Sequence, residues 1–379
     1  MEKGDVKKAS ALMMSTVFIG FLVFFVLGYL LVMPDHISPR EKRALAPKPK
    51  LSFSSVRDGS YEKGLEEYLS DHILLREGLV TAATELDYYL GRRASKNVYY
   101  GSNGMLFLRP FKNDYAIKRT MEEYSSFAES VDVPVDFLLI PTAISLYPDE
   151  LPFGIRDDIE KENMELMRSL AGSSLNMPDC LSVLERLRDS GEQVYLNTDH
   201  HWTIYGAKAI LEEYLKGIGR PLRDVQYEKR TVTGYFGTLF ANFPTGFIDP
   251  DDIDYLVNSD GSYTVEDMMT GEVSDTMLQE NQFFEDYKYG VFFGGDKGLI
   301  HIHSDSAPEG SILVVKDSYG LAFMTLLADQ YSDIYALDVR HYDTNEKSAA
   351  QLCSELSVER VLIINMAYSI INSEMFGLK

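Results

Sequence analysis

The sequence predicts an α/β protein: a mostly parallel sheet flanked by helices, with an irregular β-containing insertion and one N-terminal transmembrane helix. Three observations carry that expectation. The last third alternates extended and helical runs, with 312–315, 333–339 and 361–365 strand-like and 321–328 and 346–356 helical. Such spacing leaves room for the crossover connections that parallel strands require. Residues 220–300 lose the alternation and are rich in Gly, Asp, Thr and aromatics. A segment of that length is too long for a turn and too aromatic for disorder, so it reads as an insertion near the active face. Residues 11–33 carry no charge.

Taken in order, residues 1–10 form a short tail with Lys3, Lys7 and Lys8. The 23 residues of 11–33 suffice to cross roughly 30 Å of hydrocarbon at about 1.5 Å per residue. The lysines place the tail in the cytoplasm and everything from Pro34 onward outside. No small-residue cleavage site follows the apolar run, which favours an uncleaved signal anchor over a removed signal peptide. A core helix of a soluble domain is disfavoured because every face of the run is apolar. Residues 34–54 are expected to be a linker, rich in Pro and basic residues at its start, and 55–379 an extracytoplasmic domain. Within it, 61–92 has helical spacing, and 98–108 reads as two strands around a Gly/Ser/Asn turn. Residues 135–140 form an apolar strand, 160–170 and 181–188 helices, 193–196 a short strand and 204–216 a helix.

Composition narrows function by exclusion. The chain has 379 residues, 36 basic and 58 acidic, with a formal net charge of -22. That balance argues against nucleic acid, whose phosphates demand basic patches. It argues equally against tight docking on anionic lipid. Two cysteines, Cys180 and Cys353, define no framework; they read as unpaired, although an extracytoplasmic domain permits a disulfide. No CxxC occurs, and no cofactor or metal is expected.

The chemistry concentrates in Thr198-Asp199-His200-His201-Trp202-Thr203, which holds the single tryptophan of the chain. Residues two apart in an extended turn point the same way, so Asp199 can orient His201 as a general base while His200 faces away. Trp202 is either a pocket wall or core. Ser318 lies where a strand gives way to a helix, so helix N-terminal amides, of Ser318 itself or Tyr319, can stabilise a developing oxyanion. Gly320 would allow close approach of substrate to the backbone. The alternative for Ser318 is an ordinary helix cap. Arg340, at the end of the next strand, reads either as an oxyanion or sugar contact or as a surface ion pair. A metal site of Asp199, His200 and His201 with His301 or His303 is disfavoured, because adjacent histidines on an extended chain point apart and both rarely bind one ion.

These residues resemble a known family. The string 198–203, with Gly206-Ala207 behind it, is similar to the bacterial DHHW proteins, which resemble the SGNH-hydrolase-like domain of alginate O-acetylation proteins. Weaker support comes from 71–76, 101–107, Pro141-Thr142, Phe236-Gly237-Thr238, Lys316-Asp317-Ser318 and 338–342. The resemblance implies an SGNH-like fold and a Ser318/His201/Asp199 triad. It implies O-acetyl transfer to an exported or cell-surface polysaccharide, or its removal by an acetylesterase, beside a membrane-bound O-acyltransferase that supplies the acyl group. One departure is Lys316, where many SGNH enzymes have Gly before Asp-Ser. A different class of function, a glycan-binding scaffold, would rest on the insertion aromatics Tyr227, Tyr235, Phe236, Phe240, Phe243 and Phe247.

Overall fold

A computed structural model describes residues 3–31, 37–38, 43–156, 158–344, 347–372 and 378. Parts of the expected linker, 34–36 and 39–42, lie outside these residues, as do 1–2 of the tail and residue 346. The described chain forms two compact units, Met1–Arg92 with Pro244–Phe247, and Arg93–Phe243 with Ile248–Lys379.

In the first unit the helix Lys3–Leu31 contains the apolar stretch Lys8–Gly28, 21 residues of mean hydropathy 2.4 and only 6% buried. A core helix would be covered; this one is long and apolar enough to cross a membrane. The helix expected over 61–92 is two helices, Ser60–Asp71 and Arg76–Tyr89. Periodicity runs through the break, which contains neither Gly nor Pro. Leu75 there takes a left-handed φ of 61°, and the Asp71 carboxylate is tied to Arg43 and to the amide of Ala46. Those partners lie far away in sequence, so local spacing could not reveal the break.

The second unit is mixed α/β around one eight-stranded sheet. Its strands are β1 (Val135–Ile140), β2 (Leu175–Asn176), β3 (Tyr263–Asp267), β4 (Glu272–Ser274), β5 (Leu299–Ser304), β6 (Ser311–Lys316), β7 (Asp333–Leu337) and β8 (Arg360–Met366). Their order is β4-β3-β5-β7-β6-β8-β1-β2. From β7 to β2 all neighbours are parallel, while β4, β3 and β5 extend the sheet antiparallel. The parallel strands read as unbroken apolar runs because both faces are covered. One face, with Phe137, Leu139, Leu313, Val315, Val361 and Ile363, joins a core with the helices Asp114–Ser130 and Asp158–Leu170. The alternate residues Leu138, Ile140, Val314, Leu362 and Ile364 are buried too. On that side the helices Cys180–Asp189 and Gly320–Leu327 both pack against Ile204–Gly217. Each such side chain contributes roughly 1.5–3 kcal/mol on full burial.

The expected insertion is only partly separate. A two-stranded antiparallel ribbon, Tyr227–Tyr235 with Asp251–Asn258, stands apart, but β3 and β4 belong to the main sheet. Within the insertion, the aromatic run 289–293 begins in a 3-10 turn, Lys288–Val291. Cys180 and Cys353 are separate buried thiols, and burial pushes both up to about 12.

Candidate active site

The site grows from a tight hairpin. Tyr195 bridges Trp202 antiparallel, the Leu196 amide donates to the His201 carbonyl (3.1 Å), and the Thr203 amide donates to the Val194 carbonyl (2.8 Å). Thr203 then caps the helix Ile204–Gly217 by accepting from the Gly206 amide. The turn between these anchors carries Asp199, His200 and His201. Asp251, on the ribbon, fastens it by accepting from the amides of Asn197 and Thr198, both at 2.7 Å, and from the Thr198 hydroxyl. Burial raises the Asp251 carboxyl above its ordinary value despite these donors.

Asp199 is buried and accepts from four donors. Its Oδ1 takes the His201 amide (3.0 Å) and ring Nδ1 (2.5 Å); its Oδ2 takes the Tyr235 hydroxyl (2.9 Å) and the Thr238 amide (2.7 Å). Burial alone would raise this carboxyl. The neighbouring His201 and His200 and the hydrogen bonds from His201 and Thr238 outweigh it and hold Asp199 well below the carboxylate range. Burial first, then the Asp199 charge, keeps Tyr235 protonated and donating. Because an ionised carboxylate only accepts, His201 carries its proton on Nδ1, which leaves Nε2 as an acceptor.

Ser318 lies between β6 and the helix Gly320–Leu327, one residue before its N-cap Tyr319, at the carboxyl end of the parallel sheet. Its Oγ lies 2.8 Å from His201 Nε2, so hydroxyl, imidazole and carboxylate form one hydrogen-bonded chain. The Tyr289 ring stacks on the His201 ring, centroids 4.0 Å apart and planes 13° from parallel. Its buried hydroxyl has no partner among the described residues.

The remaining expected site residues divide. His200 does not face away. Its Nδ1 lies 2.7 Å from Thr238 Oγ1, and its ring centroid is 4.0 Å from that of His201. The turn is too tight for the alternation of an extended strand. Burial and then the His201 charge push His200 down to about 3, so it stays neutral at pH 7. Trp202 is fully buried, and its Nε1 donates to the Tyr319 carbonyl (3.1 Å). Tyr319 is likewise buried: its amide donates to Asp317 Oδ1 at 2.9 Å and its hydroxyl to the His200 carbonyl. That amide is spent, as is that of Gly320, which donates to the Asp317 carbonyl. The Ser318 amide alone of the three has no acceptor among the described residues. Gly320 does not open the backbone to substrate, because Lys316 fills its space: a Cβ there would sit 2.7 Å from Lys316 Cβ. Arg340 is locked into ion pairs with Asp338 (2.6 Å) and Asp296 (2.9 Å).

Sequence reasoning missed the supports. Lys316, buried beneath the site, pairs with Asp296 (2.8 Å) and Asp338 (3.2 Å). Asp317 Oδ2 accepts from the Met366 amide and the Ser369 hydroxyl, both at 2.8 Å, which ties the Ser318 turn to β8 and the residues after it. Tyr235 and Thr238 lie in or beside Phe236-Gly237-Thr238, which was the one available signal. Of the aromatics on which the scaffold reading rests, Tyr235, Phe240 and Phe243 are buried, Tyr227 is half-buried, and Phe236 and Phe247 are exposed. His301 and His303 bond Asp333, which pairs with Ser311 at the amino end of β6. They therefore lie at the opposite end of the sheet from Ser318 and do not join Asp199.

Residues 131–337, more than half of the chain, match the sequence model of the DHHW proteins. The "Probable alginate O-acetylase AlgJ" of Azotobacter vinelandii is 26% identical over 178 residues, 43% of this chain and 45% of that protein. The chain thus spans about half the length of the curated relatives it matches. A crystal structure of a DHHW family protein from Eubacterium siraeum superposes with a TM-score of 0.61 at 22% identity, covering 74% of this chain and 97% of that one. Bacillus cereus PatB1 with a sulfonyl adduct gives 0.61 at 20% identity, with the same coverage of 74% and 97%. With the family match covering residues 131–337, which include the Asp199 turn and Ser318, the chain belongs to the DHHW protein family.

Proposed function

We propose that this chain is a membrane-anchored, extracytoplasmic O-acetyltransferase of SGNH-hydrolase-like fold that acylates an exported polysaccharide. In this reading 1–10 is a cytoplasmic tail, 11–33 the signal anchor, 34–54 a linker and 55–379 the catalytic domain. The observation that carries it is the hydrogen-bonded chain Ser318–His201–Asp199, closed between residues 117 apart in sequence. The acyl group and the polymer come from the names of the curated relatives.

The steps follow from the geometry. Ser318 Oγ attacks the acetyl carbonyl as His201 Nε2 takes its proton, and Asp199 stabilises the resulting imidazolium. The Ser318 amide faces the developing oxyanion. The intermediate collapses, the leaving group takes the proton from His201, and acetyl-Ser318 remains. A glycan hydroxyl then gives its proton to His201 and attacks the acetyl carbon; as the bond from that carbon to Ser318 Oγ breaks, His201 returns the proton to Oγ. Water in the glycan's place makes the same site an acetylesterase. A membrane-bound O-acyltransferase is the acyl supplier that fits an extracytoplasmic site without a cytoplasmic donor.

Ser318→Ala or His201→Ala is expected to lower acetyl-ester turnover by about 10⁴-fold or more, with the circular dichroism spectrum retained. A serine-reactive phosphonate is expected to label Ser318. Full turnover in either variant sinks the triad, and glycan binding without labelling supports the scaffold instead. Mass analysis of an offered oligosaccharide separates transfer from hydrolysis.

A further inference from the structure

A second cluster of metal-ligating side chains lies at the far end of the sheet. His301 and His303 are two apart on β5, so they share one face. On the adjacent strand β7, Asp333 stands opposite His303 and Tyr335 opposite His301. His301 Nε2 and His303 Nδ1 each lie 2.9 Å from Asp333 Oδ1. The three donor atoms are all within 4.8 Å of one another.

We propose that His301, His303 and Asp333 form a zinc site, distinct from the Ser318 centre. Two imidazoles and a carboxylate are a ligand set that zinc takes. Bonds of about 2.0–2.1 Å in a tetrahedron separate ligand atoms by about 3.3 Å. The present 2.9 Å spacings need open by less than half an ångström.

The surroundings hold these ligands in place. Tyr335 stacks on His301, centroids 4.5 Å apart and planes 10° from parallel. Asp305 Oδ1 lies 3.4 Å from His303 Nε2, the nitrogen turned away from Asp333. A carboxylate behind a ligating imidazole is the usual outer partner of zinc histidines. Asp305 is itself held by the Ser262 hydroxyl at 3.0 Å. Asp333 Oδ2 accepts from the Ser332 hydroxyl at 2.9 Å, which leaves Oδ1 to the ion. The three side chains are 24%, 43% and 29% exposed, so a metal can enter and water can complete the tetrahedron. An ion here would clamp β5 to β7 and take no part in acyl transfer.

Isothermal titration of the full chain with zinc chloride near neutral pH is expected to show one ion per chain. Loss of a ligand in His301→Ala or His303→Ala is expected to remove it, and Asp305→Asn to weaken it by about tenfold. His200→Ala is expected to leave it unchanged, which separates this site from Asp199, His200 and His201. His301→Gln keeps a donor to Asp333 and covers the case in which truncation disturbs the sheet. No saturable binding by the wild type overturns the site, as does wild-type affinity in His301→Gln or loss of binding in His200→Ala.

Discussion

The residue that ties the centre to the fold is Lys316, an ammonium buried directly before the Asp317-Ser318 turn. Burying a lone charge costs several kcal/mol, so its position depends on Asp296 and Asp338, with Arg340 neutralising both again from the other side. The compensation is visible at Asp296. Burial would raise its carboxyl, but Lys316 and Arg340 bring it down to about 2. A depressed carboxylate stabilises the fold above its unfolded value, and that contribution disappears as pH falls through the folded value. The window is therefore about pH 4 down to 2, and the contribution above it is on the order of 2 kcal/mol. Asp296→Asn is expected to unfold at lower denaturant than the wild type at pH 7, with the gap closing towards pH 2. A gap of equal size at both pH values would show that Asp296 does not carry it. The same arrangement gives the Lys316 side chain its path, beneath the site and through the room left by Gly320.

At the scale of elements, the centre is a hairpin turn pressed against a crossing segment. Gly237 marks the closest approach: a Cβ there would lie 2.3 Å from Asp199 Cβ and 2.5 Å from the Thr198 carbonyl. Both are backbone or near-backbone atoms that cannot swing away. Only without a side chain does the Thr238 amide reach Asp199 Oδ2, while the Gly237 amide reaches Thr198 Oγ1 at 2.9 Å. Gly237→Ala is expected to destabilise the fold by about 1–3 kcal/mol and to cut ester turnover by loosening Asp199. Gly217→Ala is the control, because its Cβ would meet nothing within 4 Å. Denaturation midpoints and turnover of the two variants, measured together, test the packing argument. Equal behaviour of the two would refute it.

For the whole molecule, the questions are where the domain resides and which end of the sheet works. The apolar helix spans about 31 Å at about 1.5 Å per residue over Lys8–Gly28. With the N-terminus inside, protease added to intact spheroplasts is expected to degrade the C-terminal domain and spare a cytoplasmic marker. Protection of the domain would place the centre on the wrong side for an exported polymer. Within the sheet, Ser318 sits past the carboxyl ends of the strands, where open α/β folds bind ligands. The His301 cluster sits at the other end, where a bound ion could act only on stability.

Periodicity alone determined the alternation of β6, β7 and β8 with their helices, because parallel strands buried on both faces leave continuous apolar runs. Composition and length determined the apolar helix, a run of hydrophobic residues that no water-exposed segment sustains. The Asp199–His201 pairing was legible too, since two residues on one short turn need no distant partner. What only tertiary structure decided are the meetings between remote segments. These include the approach of Ser318 to His201 and the stacking of Tyr289. They also include the grip of Tyr235 and Thr238 on Asp199 and the capture of Arg340 by acids rather than substrate. Each depends on a sheet order, β4-β3-β5-β7-β6-β8-β1-β2, that joins strands far apart along the chain. Hydrophobic spacing records which face of a strand is buried, and it holds no record of which strand lies beside it.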